Sequence, residues 1–139
     1  MLENMVKETV YFTVSIIAIL IFVFIGASTD NKVFAQGDKV QASIVYGATS
    51  LTDTAYTPNP IETSVNQTVV WTNDDFTFHT VTSGSAGAAD VGKAFDSGLA
   101  GPSALSSQGK TFEHTFDKSG EYPYFCILHP EMVGTVIVK

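Results

Sequence analysis

Two hydrophobic patterns divide the chain. From Val10 to Ala27 the sequence VYFTVSIIAILIFVFIGA carries no charge and is apolar on every side of a helical wheel, just long enough to span a thin bilayer as a helix. From Lys39 onward the apolar residues fall in short runs, many alternating with polar ones, and Gly, Pro, Asn, Asp and Ser separate the runs. These runs predict strands at Val40 to Val45, Pro60 to Thr63, Thr68 to Thr72, His79 to Thr82, Ala94 to Asp96, Thr111 to Phe116, Glu121 to Cys126 and Thr135 to Val138. The expected fold is all-β, an eight-strand antiparallel β-sandwich behind an N-terminal hydrophobic leader or anchor helix. In the strand from Thr111, the parity of Phe112 and Phe116 also points His114 inward. Six glycines between Ser83 and Lys110 make that stretch read as a long surface loop carrying no chemistry.

The chain thus divides into residues 1–35, a signal peptide or membrane anchor with its linker, and residues 36–139, one folded domain. Ala35 offers a small residue before a cut, but the apolar run is longer than a usual signal core and stands far from Ala35. Cleavage after Ala35 and an uncleaved tether through residues 10–27 both remain open. Either way the domain is exported, to an extracytoplasmic, periplasmic or pseudoperiplasmic space. The sequence contains no arginine, and its formal net charge of −7 argues against nucleic-acid binding. Five lysines and eleven acidic residues from Gln36 onward place that acidity in the domain, so a charged partner should be basic. The motif Asn66, Gln67, Thr68 is an N-glycosylation acceptor, yet an asparagine at a turn is equally explained by its tolerance of positive φ.

The single cysteine excludes an internal disulfide. It lies in EYPYFCILHPEMVGTVIVK, where Cys126, His129 and Met132 follow at intervals of three, and Met132 is the only methionine after the leader. A thiolate, an imidazole and a thioether together suit copper better than zinc, which rarely takes a thioether. A second imidazole must come from His79 or His114. His79 is the better placed, at a strand edge just after the turn-forming Asn73, Asp74 and Asp75. His114 reads as a hydrogen-bonded, partly buried side chain.

Through Trp71, Asn73, His79 and the closing run Cys126, Ile127, Leu128, His129, Pro130, Glu131, Met132, the chain from Val40 to Lys139 resembles the cupredoxins, specifically the plastocyanin and amicyanin group. The resemblance implies a Greek-key sandwich and one copper ion cycling between Cu(I) and Cu(II), held by His79, Cys126 and His129 with Met132 as a weak axial ligand. It implies a carrier that passes single electrons and is not an enzyme. His129 would present its ring edge at the surface within an apolar rim of Leu128, Pro130, Phe76 and Phe78, suited to transient redox partners with a basic or apolar face. Asn73 would brace the ligand loop and Pro130 would stiffen it. Two residues depart from the pattern: Ile127 replaces a frequent hydroxyl residue, and Phe78 replaces a frequent proline. Rival readings are copper capture or delivery, a catalytic mononuclear copper domain, and a zinc site using both His79 and His114.

Overall fold

The computed structural model describes residues 39–139, so the apolar run Val10 to Ala27 and the Ala35 position lie outside the described residues. The described chain is all-β apart from one short 3₁₀ turn, Ala48–Ser50. Its strands are β1 Val40–Ile44, β2 Tyr56–Thr57, β3 Ile61–Thr63, β4 Thr68–Asn73, β5 Thr82–Ser83, β6 Thr111–Thr115, β7 Gly120–Phe125 and β8 Val133–Val138. They form two four-stranded sheets, ordered β2-β1-β4-β6 and β3-β8-β7-β5. β1 and β4 pair in parallel, as do β3 and β8, because the chain visits other strands before returning beside its earlier one. The remaining pairings are antiparallel, as expected.

Period-two alternation supplies the inner faces. Val69, Trp71 and Phe112 from the first sheet meet Tyr124, Val136 and Val138 from the second in one apolar cluster. Trp71 lies at its centre, fully buried, with Phe95, Phe112 and Tyr124 at ring-centroid distances of 5.8, 5.7 and 5.7 Å. Gly134 faces Tyr124 across the β7–β8 ladder, where an added Cβ would stand 2.4 Å from the tyrosine ring. The absence of a side chain there is what lets the ring lie flat over β8.

Three expectations change. Tyr56–Thr57 is a strand, whereas Ala94 to Asp96 contributes only an isolated bridge from Asp96 to Thr82. The piece expected from His79 to Thr82 is a bridge at His79 followed by the two-residue β5. The stretch from Ser83 to Lys110 is not merely a surface loop, since Phe95, Ser97, Ala104 and Leu105 are buried in it. Phe95 stands between Ala94 and Asp96, and Ala104 and Leu105 form a pair between serines, so they dock through irregular backbone and leave no periodic signal. Asn66 adopts φ 68° in its exposed turn, a conformation that asparagine tolerates better than most residues.

Candidate metal centre

The loop between β7 and β8 is organised by hydrogen bonds at intervals of three. His129 N–H donates to Cys126 C=O at 3.2 Å, and Met132 N–H donates to His129 C=O at 2.9 Å. Cys126 N–H donates to Met132 C=O at 3.1 Å and closes the pair of turns across the hairpin. Cys126, His129 and Met132 therefore occupy the corners of two successive tight turns, which is why their spacing is three. Pro130 takes the second position of the second turn, where its fixed φ is already suitable. Cys126 and Met132 are fully buried, while His129 is half-buried between exposed Leu128 and Pro130.

His79 approaches from the other side. Its N–H donates to Leu105 C=O at 3.2 Å, so the segment from Ser83 to Lys110 helps to place it. The next residue, Thr80, ties the two halves together. Its N–H donates to Cys126 Sγ at 3.3 Å, and its hydroxyl accepts the Ile127 N–H at 2.8 Å. Nothing in the sequence signals Thr80, because a buried threonine beside a strand is ordinary. Asn73 sends its amide to the carbonyls of Thr77 and Leu105, at 2.8 and 3.0 Å, and accepts the Asp75 N–H. These bonds brace the turn before His79; the bond to the Cys126 loop is made by Thr80.

Both imidazoles turn Nδ1 toward the sulfur, His79 at 3.8 Å and His129 at 3.6 Å. The donor atoms of His79, Cys126 and His129 all lie within 4.8 Å of one another. For a first-row divalent ion, bonds of about 2.3 Å to sulfur and about 2.0 Å to nitrogen at a trigonal angle separate the donors by roughly 3.7 Å. The two observed separations match that span, so the residues fit a bound ion. Thiolate and imidazole donors suit copper and zinc alike. His114 lies elsewhere, half-buried against Phe95 and Phe116 at centroid distances of 5.1 and 4.8 Å. Burial lowers its pKa against the opposing charge of Asp117.

The electrostatics favour the thiolate at Cys126 and a proton on His79. Burial pushes the Cys126 thiol up, but hydrogen bonds from His79, the Thr80 N–H and His129 outweigh it and bring the pKa down to about 6. Burial pulls His79 down, yet its hydrogen bonds to Cys126 and Asp75 leave it raised. Asp75, which the sequence marks only as a turn residue, bonds through Oδ2 to His79 Nε2 at 2.9 Å. Burial works against its charge, but bonds from His79, Thr77 and the Gly47 and Phe76 amides hold its carboxyl well below the ordinary range.

Residues 40–139 match the family model of copper-binding proteins, plastocyanin/azurin family. The amicyanin of Paracoccus versutus is 28% identical over 115 residues, covering 80% of this chain and 76% of the relative. A solved structure described as a novel purple cupredoxin from Nitrosopumilus maritimus is 34% identical, with a TM-score of 0.60, and covers 73% of this chain and all of its own. A copper-containing nitrite reductase from Thermus scotoductus shares the fold alone, at 23% identity and TM-score 0.53, over 22% of its length.

Proposed function

The chain belongs to the plastocyanin/azurin family of copper-binding proteins, and from that premise we propose that it is a type 1 copper electron carrier. In this reading His79, Cys126 and His129 would hold one copper ion, and Met132 would add a weak thioether donor. The observation that carries it is the approach of two Nδ1 atoms, at 3.8 and 3.6 Å, to one buried sulfur. When bound, copper supplies a one-electron Cu(I)/Cu(II) couple.

The chain's own residues make that couple usable. The Thr80 N–H on Cys126 Sγ, the Leu105 carbonyl on the His79 backbone and the paired turns of the ligand loop hold the donors in place. Little then has to move when an electron arrives or leaves. Buried Cys126, His79 and Met132 keep water from the sulfur side. His129 is the only one of the three clustered donors that is not fully buried, so a partner's redox centre comes nearest through its ring. Leu128 and Ile127 on the same loop are 43% and 37% exposed, and Phe76 on the turn before His79 is 69% exposed. An apolar surface of this kind suits brief encounters with small interfaces. The partners are transient redox proteins with an apolar or basic docking face, met outside the cytoplasmic membrane because residues 10–27 act as leader or tether.

Visible spectroscopy tests the reading. Copper(II)-loaded protein should show an intense copper–thiolate charge-transfer band, and Cys126→Ser should abolish it while the far-ultraviolet β-signal stays unchanged. A variant that keeps the colour would remove Cys126 from the site.

A further inference from the structure

His79 has two ring nitrogens, and the structure engages both. Nδ1 faces Cys126 Sγ, whereas Nε2 lies 2.9 Å from Asp75 Oδ2 and 2.8 Å from Thr77 Oγ1. A neutral imidazole that ligates through Nδ1 must carry its proton on Nε2, and here that proton meets a carboxylate. Asp75 is itself immobilised. Its Oδ1 accepts the Gly47 and Phe76 amides at 3.2 and 2.8 Å, and its Oδ2 accepts the Thr77 hydroxyl at 2.8 Å. The side chain is only 6% exposed, and among the described residues its one ion-pair partner is His79. Burying a carboxylate is costly unless it is hydrogen-bonded; Asp75 has four protein donors and, among the described residues, no lysine partner, and its charge is directed at the outer edge of a ligand ring.

We propose that Asp75 is a positioning residue for the metal centre, fixing His79 with Nε2 protonated and Nδ1 turned to Cys126, and biasing the site toward the oxidised ion by its negative charge. The proposal rests on the reading of His79 as a ligand. Outer carboxylates set ring orientation and raise the basicity of ligating histidines at metal sites generally, and their loss weakens metal binding by roughly 10–100-fold. Asp75→Asn separates this role from a merely local one. The Gly47 and Phe76 amides claim the single remaining carbonyl oxygen, which leaves the NH₂ facing Nε2. A donor opposite Nε2–H removes its acceptor, and the charge is gone.

The test is nitrogen and proton NMR of the Cu(I)-loaded full-length chain, with copper affinity and voltammetry on wild type and Asp75→Asn. In wild type, copper loading should shift His79 Nδ1, and the Nε2 proton should exchange slowly with solvent. In Asp75→Asn that exchange should quicken at least tenfold, Cu(II) affinity should fall tenfold or more, and the potential should rise by about 59 mV per tenfold selective loss of Cu(II). Asp75→Glu, which keeps the charge, should recover part of each effect. If Asp75→Asn loses only thermal stability while proton exchange and potential stay at wild type, the carboxylate merely ties the turn to Gly47 and the proposal is overturned. Fast exchange of the Nε2 proton in wild type overturns it without any variant. A His79 ring that does not respond to copper at all would instead reject the ligand assignment.

Discussion

At the scale of single residues, Cys126 and Met132 carry the sharpest expectations. The Cys126 pKa is depressed to about 6, below the ordinary value of about 8.5 for a thiol. With that sign, the metal-free protein holds a thiolate above about pH 6, and protons compete for the sulfur only below it. Ultraviolet thiolate absorbance of metal-free protein should therefore rise near pH 6, and His79→Gln should move the midpoint upward by removing one stabilising hydrogen bond. A midpoint left in the ordinary thiol range would contradict the contacts at the sulfur. If Met132 is the weak fourth donor proposed above, it tunes the preference between the two copper states. Met132→Leu removes a weak donor that Cu(II) needs more than Cu(I), so the potential should rise. Met132→Gln offers a harder oxygen and should lower it, each tenfold change in relative stability being worth about 59 mV. Voltammetry on the three loaded proteins decides this, and two unmoved potentials would show that Met132 is not a ligand.

At the scale of elements, the β7–β8 hairpin presents three of the four proposed ligands, and its register depends on a residue without a side chain. Tyr124 is 1% exposed and pairs with Gly134, so its ring has nowhere to retreat when a Cβ is added. Gly134→Ala should destabilise the domain by about 1–3 kcal/mol, the usual range for overpacking. At this domain size each kcal/mol lowers Tm by roughly 4–8 °C. Calorimetry of the variant would show the loss, while an unchanged Tm would mean that the ring and β8 are not tightly packed. The irregular segment from Ser83 to Lys110 matters at this scale as well, because Leu105 C=O receives both the His79 N–H and the Asn73 amide. A stretch that lacks strand periodicity thus supplies one wall of the site.

At the scale of the whole molecule, fractionation tests where the domain works. The run Val10 to Ala27 is long enough to hold the chain in a bilayer, and Ala35 offers a cleavage point. Full-length protein expressed in cells should fractionate with membranes, as tethered chain or as unprocessed precursor. Intact mass separates the two states. A soluble product beginning at Gln36 would reject the anchor, and a membrane-bound chain that retains residues 10–27 would reject cleavage. The acidity of residues 36–139 adds an ionic-strength dependence to encounter with any basic partner.

The sequence by itself determined what local pattern and ligand chemistry can determine. Period-two alternation marked most strands and the inward parity of Phe112 and Phe116, and the spacing of Cys126, His129 and Met132 pointed to copper because thiolate, imidazole and thioether rarely meet otherwise. It also favoured His79 over His114 as the second imidazole, from its place at a strand edge. Tertiary structure alone decided the rest. β1 and β4 are parallel because intervening strands return the chain to the same sheet, a relation that no local window contains. Leu105, Thr80 and Asp75 reach the site through one or two hydrogen bonds each, made by irregular backbone or ordinary polar side chains. Such bonds leave no periodic trace, since one carbonyl or one carboxylate needs only the right position in space, and that position is set by how the two sheets close around Trp71.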